Sequence, residues 1–246
     1  MHKSASVFVV LVLMAALSGL LSGCGLLDYY FLPPPEETAQ ELYEAGMDAM
    51  AEQDYSSAQD YFTKLKDRYP FSPFTVDAEL ALGDSYFLDG EYLLAADAYK
   101  EFDALHPAHP QTPYVLFQIG MSNFNQFRTI DLRQSNVMDG LEYFYRVKDQ
   151  YPDSPYAASA EEYIAKSRRI LAEHELYVAD FFWRTEKYGA AWKRYTYVVE
   201  NFPDVPELHE YAKKRAEYSY YEYQKDESRQ EQEETYGTWK DYFEWL

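Results

Sequence analysis

The stretch that decides the fold is residues 83–107, GDSYFLDGEYLLAADAYKEFDALHP. It has a small residue at Gly83, a second at Ala95, an aromatic residue at Tyr99 and a proline at Pro107. Small residues let two antiparallel helices approach closely, and the aromatic ring fills the space beside them. Proline ends the second helix because it lacks the backbone donor and restricts the residue before it. The stretch therefore predicts a pair of packed helices.

The same four places recur along the chain. They are filled by Gly46, Ala58, Phe62 and Pro70; by Gly120, Gly140, Phe144 and Pro152, with an insertion near 128–136; and by Ala179, Ala191, Tyr195 and Pro203. A further start at Ala216 lacks the later places. Each helix pair can bury its apolar face only against the next pair, so the pairs stack. We predict an all-α solenoid that resembles the tetratricopeptide repeat, with four to five helix pairs.

The pattern also predicts where the helices lie within a solenoid spanning residues 38–224. The predicted helices are 38–52, 55–68, 74–89, 92–105, 112–127, 137–150, 155–186, 188–201 and 206–224. The remaining tail, 225–246, is charged at first and aromatic at its end. Two interpretations of this tail stay open, a capping helix and a partner-binding segment.

The N-terminus has the features of an export signal. Residues 1–23 combine a short positive start with an apolar run that is too short to span a membrane, followed by small residues. Leu21-Ser22-Gly23-Cys24 resembles the bacterial lipobox, in which the cysteine is acylated, and Cys24 is the only cysteine. The alternative is an ordinary signal peptide with an unrelated cysteine. Because Gly25 rather than aspartate follows Cys24, we expect anchoring at the periplasmic face of the outer membrane.

The proline-rich residues 24–37 predict a stiff spacer between the lipid anchor and the solenoid. We expect no cofactor other than the covalent lipid on Cys24. The net charge of −20, from 22 Lys+Arg against 42 Asp+Glu, makes nucleic acid an unsuitable partner. Nucleic acid is unsuitable because an acidic chain repels its phosphate groups.

Nothing in the sequence predicts an enzyme or a metal site. The chain has no glycine-rich phosphate loop and no His-Glu-x-x-His motif. His106 and His109 lie in a proline-bounded turn, where the end of a helix accounts for them. Acylation of Cys24 would remove the only thiol nucleophile. We therefore expect a binding scaffold rather than a catalyst.

Several local strings are more specific than the repeat itself. They are Arg68-Tyr69-Pro70-Phe71-Ser72-Pro73-Phe74, His106-Pro107-Ala108-His109-Pro110, Tyr151-Pro152-Asp153-Ser154-Pro155-Tyr156 and Leu171-Ala172-Glu173-His174-Glu175-Leu176. Together they resemble the BamD family, also called ComL or YfiO, the lipoprotein subunits of the outer-membrane β-barrel assembly (BAM) complex. The most specific part is the turn at Arg68, Tyr69, Pro70, Phe71 and Pro73. The sequence departs from the family at residues 130–134 and in the aromatic tail.

The resemblance implies a scaffold that binds unfolded outer-membrane proteins and the periplasmic domain of a BamA-like barrel protein, together with other assembly lipoproteins. It also implies that N-terminal repeats recognise the substrate and C-terminal repeats dock on the BamA-like partner. Arg194, nine residues before Pro203, matches a basic residue of the family and is expected to form an ion pair with that partner. The alternative is an ordinary solvated helix charge.

The repeat geometry itself predicts a groove on the inner face of the first helices. Its candidate lining residues are Tyr43, Asp84, Phe87, Tyr114, Phe117, Phe124 and Trp183. An aromatic groove suits an extended peptide whose alternate side chains are aromatic, as in a strand of an outer-membrane barrel. The alternative is that these side chains belong to the core, as aromatic stripes at helical spacing usually do.

Two other functions fit a helical-repeat lipoprotein. One is a different periplasmic adaptor, for pilus assembly or for the cell wall. The other is a glycan-capturing lipoprotein, which would need inserted loops that carry tryptophan and tyrosine. Only the insertion near 128–136 offers such a loop.

Overall fold

The computed structural model describes residues 37–236, which form nine helices and no strand. The helices are α1 Ala39–Ala51, α2 Tyr55–Arg68, α3 Thr75–Leu88, α4 Tyr92–Leu105, α5 Thr112–Phe124, α6 Ser135–Gln150, α7 Ala157–Arg184, α8 Tyr188–Asn201 and α9 Pro206–Tyr236. Each helix packs against the next one along the chain. The predicted all-α, tetratricopeptide-like solenoid is confirmed. The signal segment and Cys24 lie outside the described residues.

Eight of the nine predicted helices match within three residues at each end. The prediction that the last helix ends at 224 is wrong, since α9 continues to Tyr236. Residues 225–236 are rich in Glu and Gln and contain neither glycine nor proline, so nothing interrupts the helix. Ion pairs Lys225–Glu222 and Arg229–Asp226 add modest local support. The first part of the charged tail is therefore a continuation of α9.

The ends of the second helices share one backbone geometry. Their C-cap residues Tyr69, His106, Tyr151 and Phe202 have φ between −132° and −128° and ψ between 50° and 53°. Each of these residues precedes a proline, whose ring excludes the helical conformation from its neighbour. The chain then turns into the next helix pair. Four prolines therefore fix four equivalent turns.

The first helices of three repeats also end in a common way. Gln53, Gly90 and Glu186 each adopt a left-handed conformation, with φ of 62°, 81° and 59°. The next amide donates back to the helix, as in the bond from the Asp54 N–H to the Ala49 carbonyl at 2.9 Å. Only one of the three repeats places glycine, the residue suited to this conformation, at the turn.

The core consists of three clusters, and helix α7 contributes to two of them. Ala160 and Ile164, near the start of α7, pack into the central cluster with α4, α5 and α6. Leu176 and Ala179, near its end, pack with α8 and α9. A separate N-terminal cluster joins α1, α2 and α3. At 28 residues, α7 is about twice as long as most other helices and connects the last two clusters.

The small residues of the repeat make room for its aromatic ring. A Cβ atom added at Gly120 would lie 2.5 Å from Cε1 of Phe144, and one at Gly83 would lie 2.7 Å from Cε1 of Tyr99. Both rings are fully buried. The spacing found in the sequence therefore reflects direct contact between the first small residue and the aromatic residue of the same repeat.

Candidate partner-binding and substrate-binding surfaces

A partly buried carboxylate links three helices in the middle of the solenoid. Oδ1 of Asp84, on α3, accepts hydrogen bonds from the hydroxyls of Tyr99 on α4 and Tyr114 on α5, both at 2.6 Å. Gln118 donates to the Tyr114 hydroxyl at 3.1 Å. Burial raises the pKa of Asp84 although the two hydroxyls oppose that rise. The predicted groove residues Asp84 and Tyr114 are thus in direct contact.

The C-terminal repeats contain an equivalent network. Asp180, on α7, accepts hydrogen bonds from the hydroxyls of Tyr195 on α8 and Tyr211 on α9, the latter at 2.9 Å. Arg215 takes the place of Gln118, with Nε 3.3 Å from the Tyr195 hydroxyl. Its guanidinium also lies 4.3 Å from the centre of the Trp183 ring. This second network therefore carries a cation over the predicted groove residue Trp183.

The two networks follow a rule that is visible within the chain. Where the aromatic residue of the repeat is tyrosine, at Tyr99 and Tyr195, the residue after the first small residue is aspartate. Where the aromatic residue of the repeat is phenylalanine, at Phe62 and Phe144, the residue after the first small residue is methionine, at Met47 and Met121. A buried hydroxyl requires an acceptor, whereas a phenyl ring requires only apolar contact. Comparing the repeats position by position could have revealed these networks before the structure.

Two predicted groove residues of α5 pack against aromatic residues at the start of α7, namely its N-cap Tyr156 and Tyr163. Phe117 stacks on Tyr156, with ring centres 5.6 Å apart, and Phe124 meets the edge of Tyr163 at 5.1 Å. Tyr114 also contacts Tyr156, at 5.5 Å. Tyr156 and Tyr163 are not among the predicted groove residues, because they lie beyond α6, where Tyr156 is the N-cap of α7 and Tyr163 lies near its start. They extend the aromatic surface from α5 onto α7.

The other predicted groove residues lie in separate places. Tyr43 stacks on Phe74 at 5.6 Å in the N-terminal cluster, and Phe87 meets Tyr92 at 5.4 Å at the end of α3. Trp183 packs in the C-terminal cluster. All seven predicted side chains are partly buried, so each contributes to the packing and keeps some surface in solvent. Their role in binding a peptide stays a prediction.

The family-motif turn places its aromatic residues in contrasting environments. Tyr69 caps α2, and its hydroxyl donates to the Glu37 carbonyl at 2.7 Å. Its own carbonyl accepts a hydrogen bond from the Thr75 hydroxyl at 2.6 Å. Phe71, by contrast, is 99% exposed, while Arg68, Pro70 and Pro73 are also exposed. The turn therefore presents a phenyl ring to solvent from a hydrogen-bonded frame.

Arg194 has a partner within the chain. Its Nη1 donates to Oε2 of Glu175, on the adjacent helix α7, at 2.7 Å. The Arg194 side chain is 47% exposed, whereas that of Glu175 is 17% exposed. Glu175 therefore orients the guanidinium while leaving much of it accessible. Glu175 belongs to one of the family strings, but its pairing with Arg194 depends on the packing of α7 against α8.

The part of the chain that the structure describes contains no group of three potential metal ligands. His106 instead pairs with Glu79, with 2.7 Å between Nε2 and Oε2. Within residues 37–236, no helix is both long enough and apolar enough to cross a membrane.

Stacked helix pairs with partly exposed aromatic residues along the repeats define a tetratricopeptide-like helical-repeat protein. The chain belongs to the YfiO family of outer membrane lipoproteins, whose sequence profile matches residues 35–236. The predicted family and the predicted location at the outer membrane are confirmed.

Curated relatives are named as outer membrane protein assembly factor BamD. The protein from Vibrio cholerae serotype O1 is 28% identical over 181 residues, which cover 70% of this chain and 75% of that one. The protein from Xylella fastidiosa strain Temecula1 is 26% identical over 178 residues, covering 68% and 60%. That from Neisseria meningitidis serogroup A is 24% identical over 208 residues, covering 79% and 78%.

Proposed function

We propose that this protein is a non-enzymatic scaffold subunit of the outer-membrane β-barrel assembly complex. The observation that carries the proposal is the family match over residues 35–236, together with relatives named as outer membrane protein assembly factors. The scaffold binds unfolded outer-membrane proteins and docks on the periplasmic domain of a BamA-like barrel protein. Acyl chains on Cys24 hold it at the outer membrane.

The aromatic surface of α5 and α7 supports the binding of unfolded chains. Phe117, Phe124, Tyr156 and Tyr163 form a continuous set of ring contacts whose outer faces are partly exposed. Aromatic side chains offer a large contact area at a small cost in conformational entropy. An extended segment with aromatic residues at alternate positions can place them on such a surface. Because only the alternate aromatic positions make these contacts, the other positions of a client segment can vary.

Arg194 supports docking through the C-terminal repeats. A guanidinium has five N–H donors, and the contact with Glu175 uses only Nη1. The remaining donors can bind a second carboxylate on a partner. Because Glu175 already holds the side chain in place, less conformational entropy is lost when the partner binds. The proposed contact is a shared ion pair with Glu175 on one side and the partner on the other.

The docking proposal is tested by affinity purification of the tagged full-length lipoprotein from detergent-solubilised envelopes. Wild type should recover a BamA-like barrel protein, and Arg194→Glu should abolish that recovery. Glu175→Gln removes the internal pair but keeps the cation, so recovery should persist. Arg169→Glu is the matched control, because Arg169 is an exposed arginine of α7 paired with Glu173 at 3.0 Å. Its substitution should leave recovery unchanged.

Two outcomes separate the parts of the proposal. If Arg194→Glu retains the barrel protein, Arg194 does not dock it, although the assembly role stands. If wild type recovers pilus or cell-wall proteins and no barrel protein, the assembly role is wrong.

Phe71→Ala provides a direct probe of the family-motif turn, because a side chain that is 99% exposed contributes little to folding. Weaker binding of client peptides by this variant would therefore report on recognition.

A further inference from the structure

A cavity of about 770 Å³ lies at one edge of the solenoid. One wall is formed by residues 90–94, which span the end of the turn after α3 and the start of α4. The other wall is formed by residues within 125–137, which span the inserted loop and the start of α6. None of the predicted groove residues lines it, and neither does Arg194. The cavity is therefore a separate feature from the proposed groove and docking contact.

Several exposed apolar side chains lie at the cavity. Leu93, Leu94 and Leu132 line it and are 63%, 45% and 51% exposed. Met138 is also exposed and follows the lining residue Val137. Among the described residues, exposed leucine and methionine side chains are concentrated at this edge. Apolar surface that is gathered around a concavity is typical of a binding site.

The charge of the cavity is opposite to that of the chain. Arg128 and Arg133 line it together with a single acidic residue, Glu91, whereas the whole chain has a net charge of −20. Within residues 37–236, neither arginine has a carboxylate oxygen within ion-pair distance. Their guanidinium groups are therefore available to a carboxylate from outside these residues.

The inserted loop is held in a fixed conformation. The buried side chain of Gln134 donates to the Thr129 carbonyl at 2.9 Å, and it also reaches the Leu132 carbonyl. His174, on α7, bonds to the Ile130 carbonyl with Nδ1 at 2.6 Å. A loop ordered in advance loses little conformational entropy when a partner binds. These hydrogen bonds order the inserted loop, as expected of a loop that binds a partner.

We propose that this cavity binds an extended segment of a partner protein in which an acidic side chain lies between apolar side chains. Arg128 and Arg133 bind the carboxylate, and the leucines receive the apolar side chains. Asn125 and Asn136 also line the cavity. Their side-chain amides can bind the backbone of the segment, although the Asn136 amide already donates to Gln126 at 3.2 Å. A concave, amide-lined site favours a peptide over the broad surface of a membrane.

The test uses the acylated full-length protein in detergent and a displayed library of random peptides about ten residues long, enough to span about 30 Å when extended. Selection on the wild type, with Arg128→Glu/Arg133→Glu as the counter-target, should enrich peptides that combine Asp or Glu with Leu or Phe. By fluorescence anisotropy, a synthetic enriched peptide should bind the double variant at least about tenfold more weakly. Leu93→Ser/Leu132→Ser should also weaken binding, which gives a second variant with unchanged charge.

Arg184→Glu/Lys193→Glu is the matched control, because both cations are exposed and neither lines the cavity. This control should bind the peptide as wild type does, and circular dichroism should show that all variants are folded. Failure to enrich peptides over the double variant would overturn the proposal, as would equal affinity for wild type and variants. Binding to vesicles of equal parts neutral and anionic phospholipid that requires both arginines, without peptide enrichment, would assign the surface to the membrane instead.

Discussion

Converting the second repeat to the type found in the first and third tests the account of the polar networks. The change is Asp84→Met with Tyr99→Phe, which reproduces the pairs Met47–Phe62 and Met121–Phe144. If the aspartate is present because the tyrosine hydroxyl needs an acceptor, the two substitutions must compensate each other. Asp84→Met alone leaves the buried Tyr99 hydroxyl without its carboxylate acceptor, and Tyr99→Phe alone removes one of the two hydroxyls that donate to Asp84.

The magnitudes follow from the hydrogen bonds. In Asp84→Met, the fully buried Tyr99 loses its acceptor at 2.6 Å, which costs about 1–3 kcal/mol. In Tyr99→Phe, Asp84 keeps the bond from Tyr114 but loses one charge-assisted bond, worth about 1.5–3 kcal/mol. The double variant removes both groups and should be nearly as stable as wild type, apart from the loss at the partly exposed Tyr114. The expected coupling free energy is therefore about 2 kcal/mol.

The assay is urea unfolding of wild type, both single variants and the double variant, followed by circular dichroism. The control cycle combines Asp84→Met with Tyr195→Phe, whose acceptor is Asp180. These residues share no partner, so their effects should add within about 0.5 kcal/mol. If the Asp84–Tyr99 cycle is additive within the same limit, the hydroxyl does not account for the aspartate and the reasoning is refuted.

Two further predictions concern the same repeats. Gly140→Ala should destabilise the fold by about 1–2 kcal/mol, because the new Cβ would lie 2.9 Å from the Gly120 carbonyl oxygen, and the cost of overpacking exceeds the gain in helix propensity. An unchanged or raised thermal midpoint would contradict this close approach. Burial raises the pKa of Asp84 above its ordinary value of 3.8, so the stability it contributes is fully present below the unfolded-state pKa and is lost as the pH rises through the folded-state pKa. Asp84→Asn keeps Oδ1 as an acceptor and cannot titrate. As the pH rises, the urea midpoint of wild type should therefore fall relative to that of Asp84→Asn. If the difference between the two midpoints does not vary with pH, Asp84 has the same pKa in the folded and unfolded states.

Much of the candidate site could be predicted, but not how its parts fit together. The position of Asp84, Tyr114, Phe117 and Phe124 on first helices follows from helical spacing, and all four are partly buried. Their contacts with Tyr99, Tyr156 and Tyr163 could not be derived, because they depend on how one helix crosses the next.

The sequence alone determined the family, the helical class, the order of the helices and most of their bounds. These features depend on local rules, since a proline restricts the residue before it and a small residue is needed wherever a ring must fit. Only the tertiary structure decided that α7 joins two core clusters, that Glu175 holds Arg194, and that the insertion braced by Gln134 and His174 encloses a cavity. The physical reason is distance along the chain. Side chains from different helices meet according to the rise, rotation and crossing angle accumulated over whole repeats, and the pattern within one repeat does not encode these quantities.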